Sequence, residues 1–201
     1  MHSWARPARA QTYGGSMATK DGPVGPYPGS VVGDDAEVEY DKLRRRVLWK
    51  LPSGLYVVGS TDGAERRNGM TTNWVTQLSF DPKWVGVGIE QGAFTHELIE
   101  AAGVFSVCLI DREDRAIVRK FTKAVDVDLS AQTLNGFAYV ERTTGAPILA
   151  QSVAFLDCAV RDRMVVGNHT FFAGEVMEAG FLKDEDTEVL RMEDTRMNYG
   201  G

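Results

Sequence analysis

Apolar and polar positions alternate with a period of two through most of the chain after Pro52, and shift to helical spacing in only a few short places. Gly54 to Thr61 is β-branched and aromatic and ends at the turn signal Asp62-Gly63, which predicts a strand. Met70 to Phe80, closed by Asp81-Pro82, predicts a second, longer one. Trp84 to Ile89, Val104 to Ile110, Ile148 to Arg161 and Thr170 to Ala179 give four more. Helical spacing is confined to Tyr40 to Trp49, Thr95 to Ala102 and Asp111 to Phe121. In the first of these Leu43, Val47 and Leu48 share one face and Arg44, Arg45 and Arg46 turn outward, which reads as a solvated helix side. Many strands and few helices predict a mainly β fold, a barrel or sandwich and not a doubly wound sheet.

The ends of the chain read differently. Residues 1–36 predict a flexible N-terminal tail, because Gly22 to Gly29 and its surroundings bury too little apolar area to offset the entropy of ordering. Residues 37–182 then form the globular domain, and residues 183–201, acidic from Lys183 to Asp194, form a C-terminal tail or lid.

Composition narrows the function classes. A chain of 201 residues with 43% apolar and 25% charged residues can bury one sizeable core. Its net charge of −6 argues against a nucleic-acid binder, which needs a basic face to displace counterions. No apolar run reaches the ~18 residues that span a bilayer, so the expectation is a cytoplasmic protein without a membrane partner. Cys108 and Cys158 sit inside apolar stretches and read as buried reduced thiols. His2, His96 and His169 lack partners at metal-ligand spacing, and no Gly-x-Gly-x-x-Gly follows a strand.

The stretch from Asn68 to Pro82 is unusually polar for a strand between apolar ones. Thr71 and Asn73 offer donors and acceptors beside the apolar bodies of Met70 and Trp74, which suits the edge of a flat heteroaromatic ring or equally an edge strand facing water. Thr95 reads as the N-cap of a short helix, whose free amides favour an anion. His169 opens a strand after the turn Gly167-Asn168.

These three pieces carry a resemblance. Gly69-Met70-Thr71-Thr72-Asn73-Trp74 with Ser79-Phe80-Asp81-Pro82, the opening strand Leu51 to Val58, and Gly167-Asn168-His169 leading to Gly174-Glu175-Val176 resemble the signatures of the FMN-binding split-barrel flavin reductases. The resemblance spans about residues 43 to 180 and implies an antiparallel split β-barrel. It implies that Asn68, Met70, Thr71, Thr72, Asn73, Trp74 and Ser79 hold the flavin ring and ribityl chain. Gly92, Ala93, Phe94 and Thr95 would hold its phosphate, with Tyr199 a lid over the site. His169 would stand beside the nicotinamide as the catalytic residue. The chain departs from the pattern at Ala93, where the family commonly has Ser or Lys, and at Asn168, where it has Asp.

The implied activity is hydride transfer from NADH or NADPH to FMN or FAD by a homodimer, with a monooxygenase as a partner taking the reduced flavin. Two other readings stay open: an electron-transfer flavoprotein with resident FMN, and a non-catalytic flavin or haem-type binding module.

Overall fold

In the computed structural model the described residues are 25–123 and 125–195. They fall into two units, one ending at Lys42 and one beginning at Leu43. In the first, Tyr27 meets Tyr40 edge-on at 6.2 Å. Helix α1 (Asp34–Leu48) starts six residues earlier than the apolar spacing predicts. Asp34, Asp35 and Glu37 fill its first turn and Arg45 and Arg46 its last, so both ends complement the helix dipole.

Strand β1 (Tyr56–Thr61) pairs antiparallel with β2 (Arg67–Thr72). After β2 come β3 (Val75–Phe80), β4 (Lys83–Glu90), helix α2 (Phe94–Ala102) and β5 (Val104–Leu109). Four short strands follow: β6 (Val127–Asp128), β7 (Thr133–Leu134), β8 (Phe137–Val140) and β9 (Ile148–Leu149). The long hairpin of β10 (Ala154–Val166) and β11 (His169–Phe181) closes the fold. The main sheet has the order β2-β1-β5-β10-β11-β4-β3, and the short strands form a second sheet, β6-β7-β8-β9.

The two edges of the main sheet, β2 and β3, are consecutive in the chain and joined only by Asn73 and Trp74. A seven-stranded sheet whose first and last strands are so linked must curl until its edges meet, and the seam between them is the split of the barrel. The single strand expected from Met70 to Phe80 is therefore two strands. Alternation persists across the break, so the sequence pattern hides it.

Because side chains alternate across the sheet, two cores form. Inside the barrel Val58, Val85, Val87, Ile89, Phe105, Val107 and Phe172 pack with Ile99 of α2. On the outer face of β1, β2, β5 and β10, Val57, Cys108 and Phe155 pack with Phe121, Ile148, Leu149 and Leu190. Each fully buried large side chain contributes roughly 2 kcal/mol or more by removing apolar area from water. Both cysteines are buried and free, and burial raises both thiols, Cys158 to about 12.

Three further expectations need correction. Asp111 to Phe121 forms two short 3₁₀ turns, Arg112–Asp114 and Ile117–Phe121, in place of one α-helix. Ile148 to Arg161 is broken after Leu149, and β10 continues to Val166 through residues too exposed to read as strand. The acidic segment 183–194 does not extend into solvent throughout: Leu190 is buried, its N–H donates to Ile110 O at 2.7 Å, and Gly54 and Arg191 form a β-bridge.

Candidate active site

The turn Asn73-Trp74 at the seam is held on both sides. Trp74 N–H donates to Thr72 Oγ1 at 3.2 Å, and Gly88 N–H of β4 donates to Trp74 O at 2.9 Å. The indole lies across Gly88, where a Cβ would stand 3.2 Å from Trp74 Cε3, so any larger residue would push the ring outward by a few tenths of an ångström. Trp74 remains 41% exposed, so part of the indole is accessible to a ligand.

His169 comes to the same face from the other side of β4. Val166 and His169 close the β10–β11 hairpin over Gly167 and Asn168, with Gly167 at φ 59°, the left-handed value that the first position of a II′ turn requires. The imidazole lies 4.5 Å from the Trp74 ring, centroid to centroid, and opposite Glu90 in the β4 register. Asn168 Oδ1 lies 2.8 Å from His169 Nδ1. An amide oxygen only accepts, so in this orientation of the Asn168 amide Nδ1 is the donor, the role a carboxylate would also ask of it. Partial burial holds the His169 pKa below the ordinary imidazole value, with Glu90 pulling the other way.

A third wall is the loop from Glu90 to Ala93 with the start of α2. Gln91 N–H donates to Asn168 O at 2.9 Å, tying this loop to the hairpin tip. The cap of α2 is Ala93, which makes no side-chain cap bond; Thr95 lies two places inside the helix and is buried. The cap assigned to Thr95 is therefore corrected: its Oγ1 accepts instead from Asn68 Nδ2 of β2, at 2.8 Å. Gly92, at φ 83°, and Phe94 are exposed at this start. The cation nearest to it is Arg66, whose guanidinium stands 5.9 Å over the Phe94 ring and pairs with Asp62 at 2.7 Å and Glu97 at 2.5 Å.

Buried polar atoms without partners occur at both ends of β2, and also away from it at Trp84 Nε1 and Ser152 Oγ. Asn68 Oδ1 and Asn73 Oδ1 are both buried and accept nothing, and so is Ser60 Oγ, directly opposite Asn68 in the β1–β2 register. A buried unpaired acceptor costs about 1–3 kcal/mol, so a group that donates to it is favoured. Flavin offers such donors in its ring imide N–H and ribityl hydroxyls. The residues present fit the group that the family resemblance implies.

Not every expected residue joins the rim. Thr71 faces the outer core and donates to Val118 O at 2.5 Å. Thr72 is buried and holds the turn through Trp74 N–H. Met70 packs against the inner core. Ser79 pairs with Trp84 near the far end of β3, about 16 Å from Trp74 at ordinary strand rise. Tyr199 lies outside the described residues.

His96 and Thr170 escape the sequence reading. His96 Nε2 lies 2.8 Å from Thr170 Oγ1, and the His96 ring tilts against Phe172 at 5.3 Å. Burial, and then Arg163, depresses the His96 pKa. Its signal in sequence is faint: His96 stands one helical step, i to i+3, from the buried Ile99. Among the described residues no group of His, Cys, Asp and Glu could hold a metal ion, and no helix is long and apolar enough to cross a membrane.

A family model described as "Flavin reductase like domain" matches residues 48–201. The chain is 33% identical over 138 residues to an NADH-dependent FAD reductase of Streptomyces globisporus, covering 67% of this chain and 73% of that one. Among solved structures it resembles the NADH:FAD oxidoreductase of Streptomyces globisporus C-1027 in complex with NAD and FAD fragments. That likeness has a TM-score of 0.64 and 28% identity over 77% of this chain and 88% of the other. It also resembles the styrene monooxygenase flavin reductase of Pseudomonas putida, with a TM-score of 0.62 and 26% identity over 73% of this chain and 90% of the other.

Proposed function

We propose that this chain, which belongs to the family of flavin reductase like domains, reduces flavin with a nicotinamide nucleotide at the rim where β2, the start of α2 and the β10–β11 hairpin meet. The observation that carries the reading is the exposed Trp74 ring lying 4.5 Å from the His169 imidazole, next to Asn73, whose buried Oδ1 accepts nothing.

When bound, FMN or FAD supplies the redox chemistry, taking hydride at its N5 from the C4 of NADH or NADPH. The chain's part is to bind and orient. Asn68 and Asn73 would accept from the flavin's donors, while Gly92, Phe94 and Thr95 would place backbone N–H groups at its phosphate, with Ala93, whose own N–H donates to Glu90 O at 3.2 Å, shaping that turn and Arg66 as a neighbouring cation. His169 stands beside the nicotinamide and presents an uncharged Nε2 acceptor, and Trp74 backs the rings and excludes water. No proton needs to be taken from substrate, so neither the two imidazoles nor Glu90 need act as a general base.

The hairpin tip beside His169 exposes Met164, Val165 and Val166, at 60%, 67% and 52%. A second copy of the chain laid over this apolar strip would bury it and cover the flavin, so the active form is a homodimer; light scattering measures this directly. The likeness to a styrene monooxygenase flavin reductase supports a monooxygenase as the partner that takes the reduced flavin, in the cytoplasm. We assign residues 37–182 to the flavin-reducing domain, preceded by a tail, with the buried Leu190 docking the start of the tail or lid segment 183–201 onto it.

Oxidation of NADH and of NADPH, followed with FMN, FAD and riboflavin in turn, tests the activity. Flavin-dependent turnover with at least one nucleotide is expected. A yellow protein that turns over neither nucleotide would instead support the electron-transfer or flavin-holding readings.

A further inference from the structure

Arg66 stands beside the start of α2 with two carboxylates already on it. Its Nε pairs with Asp62 at 2.7 Å, its Nη1 pairs with Glu97 at 2.5 Å, and its guanidinium carbon lies 5.9 Å over the Phe94 ring. The two partners are held unequally. Asp62 belongs to the turn between β1 and β2, where its Oδ1 accepts from the N–H groups of Ala64 at 2.9 Å and Arg66 at 3.2 Å, and its side chain is only 14% exposed. Glu97 reaches the same guanidinium from the first turn of α2, with its side chain 59% exposed. Solvent screens an exposed pair, so the Asp62 pair is the fixed one and the Glu97 pair is the one that yields.

The surroundings of Glu97 favour an anion of higher charge. The N–H groups of Phe94 and Thr95 precede the first intrahelical hydrogen bond, which Glu97 N–H makes to Ala93 O at 3.2 Å. A phosphate monoester brings about two negative charges and three acceptor oxygens to such a place, against one charge for a carboxylate. Asn68 marks the same place from a different element. It is 5% exposed, its Nδ2 donates to Thr95 Oγ1 at 2.8 Å, and its Oδ1 accepts nothing, so a ligand hydroxyl next to the phosphate would complete it.

We propose that Glu97 is a built-in competitor for the flavin phosphate: FMN or FAD gains Arg66 only by breaking the Arg66–Glu97 pair, so the phosphate adds little net affinity and the flavin exchanges as a substrate. With the start of α2 read as the phosphate end of the flavin site, on which reading this rests, two consequences separate a competitor from a merely structural ion pair. Removing the Glu97 charge strengthens binding of a phosphorylated flavin and leaves riboflavin, which has no phosphate, where it was. The gain also needs Arg66, because without the cation there is no pair to break.

Fluorescence titration of the full-length protein with FMN and with riboflavin at low salt tests both consequences, in the wild type, Glu97→Gln, Arg66→Gln and the double variant. Both side chains are exposed, so the variants should melt with the wild type. Glu97→Gln is expected to lower the FMN Kd about fivefold while the riboflavin Kd stays put, and added salt should shrink that difference. In the Arg66→Gln background the same substitution should change the FMN Kd by less than about twofold. An unchanged FMN Kd in Glu97→Gln, equal shifts for FMN and riboflavin, or a gain that survives in the Arg66→Gln background overturns the proposal and leaves the flavin site standing. Failure of the wild type to bind either flavin overturns the flavin reading and the proposal with it.

Discussion

Two groups of buried polar side chains flank the same sheet and end differently. On the outer face Asp157, fully buried, accepts from Thr144 N–H at 2.8 Å and from Thr144 Oγ1, and Ser106 Oγ donates to Pro147 O at 2.6 Å. That group pairs its donors and acceptors within the chain. At the rim, Asn68 gives its Nδ2 to Thr95 and leaves Oδ1 empty-handed, and Asn73 gives its Nδ2 to Ser53 at 3.2 Å and does the same. Both groups pay the same desolvation penalty, and only the first recovers it internally. A buried polar cluster that pairs within the fold belongs to the fold, whereas one that leaves acceptors over is shaped for something that donates.

If that contrast is right, breaking the closed group should cost stability and spare binding. Asp157→Ala leaves a buried N–H and hydroxyl without an acceptor and is expected to lose about 3 kcal/mol in denaturant unfolding, with the flavin Kd of the folded protein unchanged. Burial raises the Asp157 pKa, so the folded state holds that proton more readily than the unfolded chain. The group's favourable contribution is therefore full at acid pH and lost as pH rises through its folded value. Measured against Asp157→Asn, wild-type stability should improve as pH falls into the carboxylate range. A flat profile would place the carboxylate in water, and the opposite slope would mean that the Thr144 hydrogen bonds outweigh burial.

The reverse pattern is expected at the rim. Asn68→Ala should weaken flavin binding about tenfold, read by fluorescence titration, while unfolding free energy changes by about 1 kcal/mol or less, because the lost amide was only half satisfied. Equal losses in both measurements would make Asn68 another closed structural group.

Smaller effects sharpen the assignment of His169. His169→Ala should raise KM for the nicotinamide nucleotide several-fold with little change in flavin affinity. Asn168→Asp should leave turnover nearly unchanged, because Asn168 Oδ1 already accepts from Nδ1, while moving the His169 titration upward through the added charge. Both His96 and His169 have pKa values depressed below the ordinary 6.5, chiefly by burial. Each contributes stability that is present above the unfolded value and lost as pH falls through the folded one. NMR titration should find both imidazoles neutral at pH 7, and a midpoint above 6.5 for either would contradict the burial described.

Much of this was legible from residue pattern alone. The strand-rich class, β4, β5 and α2 follow from alternation and helical spacing, since their neighbours in sequence also define their burial. Patterns fail where long-range geometry decides. Met70 to Phe80 looks continuous because alternation runs on through Asn73-Trp74, although the chain there crosses from one sheet edge to the other. Asp111 to Phe121 has apolar spacing, yet its Asp111 cap and tight packing give 3₁₀ turns. At the site, His169 and the β2 polar strand came from motif resemblance. His96 could not, because its meaning depends on Thr170, 74 positions away. Thr95 looked like a cap from its place before a helix, whereas its partner is Asn68, 27 positions earlier.

The central claim, that flavin is reduced where Trp74 and His169 meet, is tested most directly by anaerobic stopped-flow mixing of flavin-loaded protein with NADH or NADPH. The wild type should bleach the flavin's visible absorbance in a fast phase, and His169→Ala, with flavin still bound, should do so about tenfold more slowly. Wild-type rates in His169→Ala, with the flavin still bound, would contradict the account and move the nicotinamide away from this histidine.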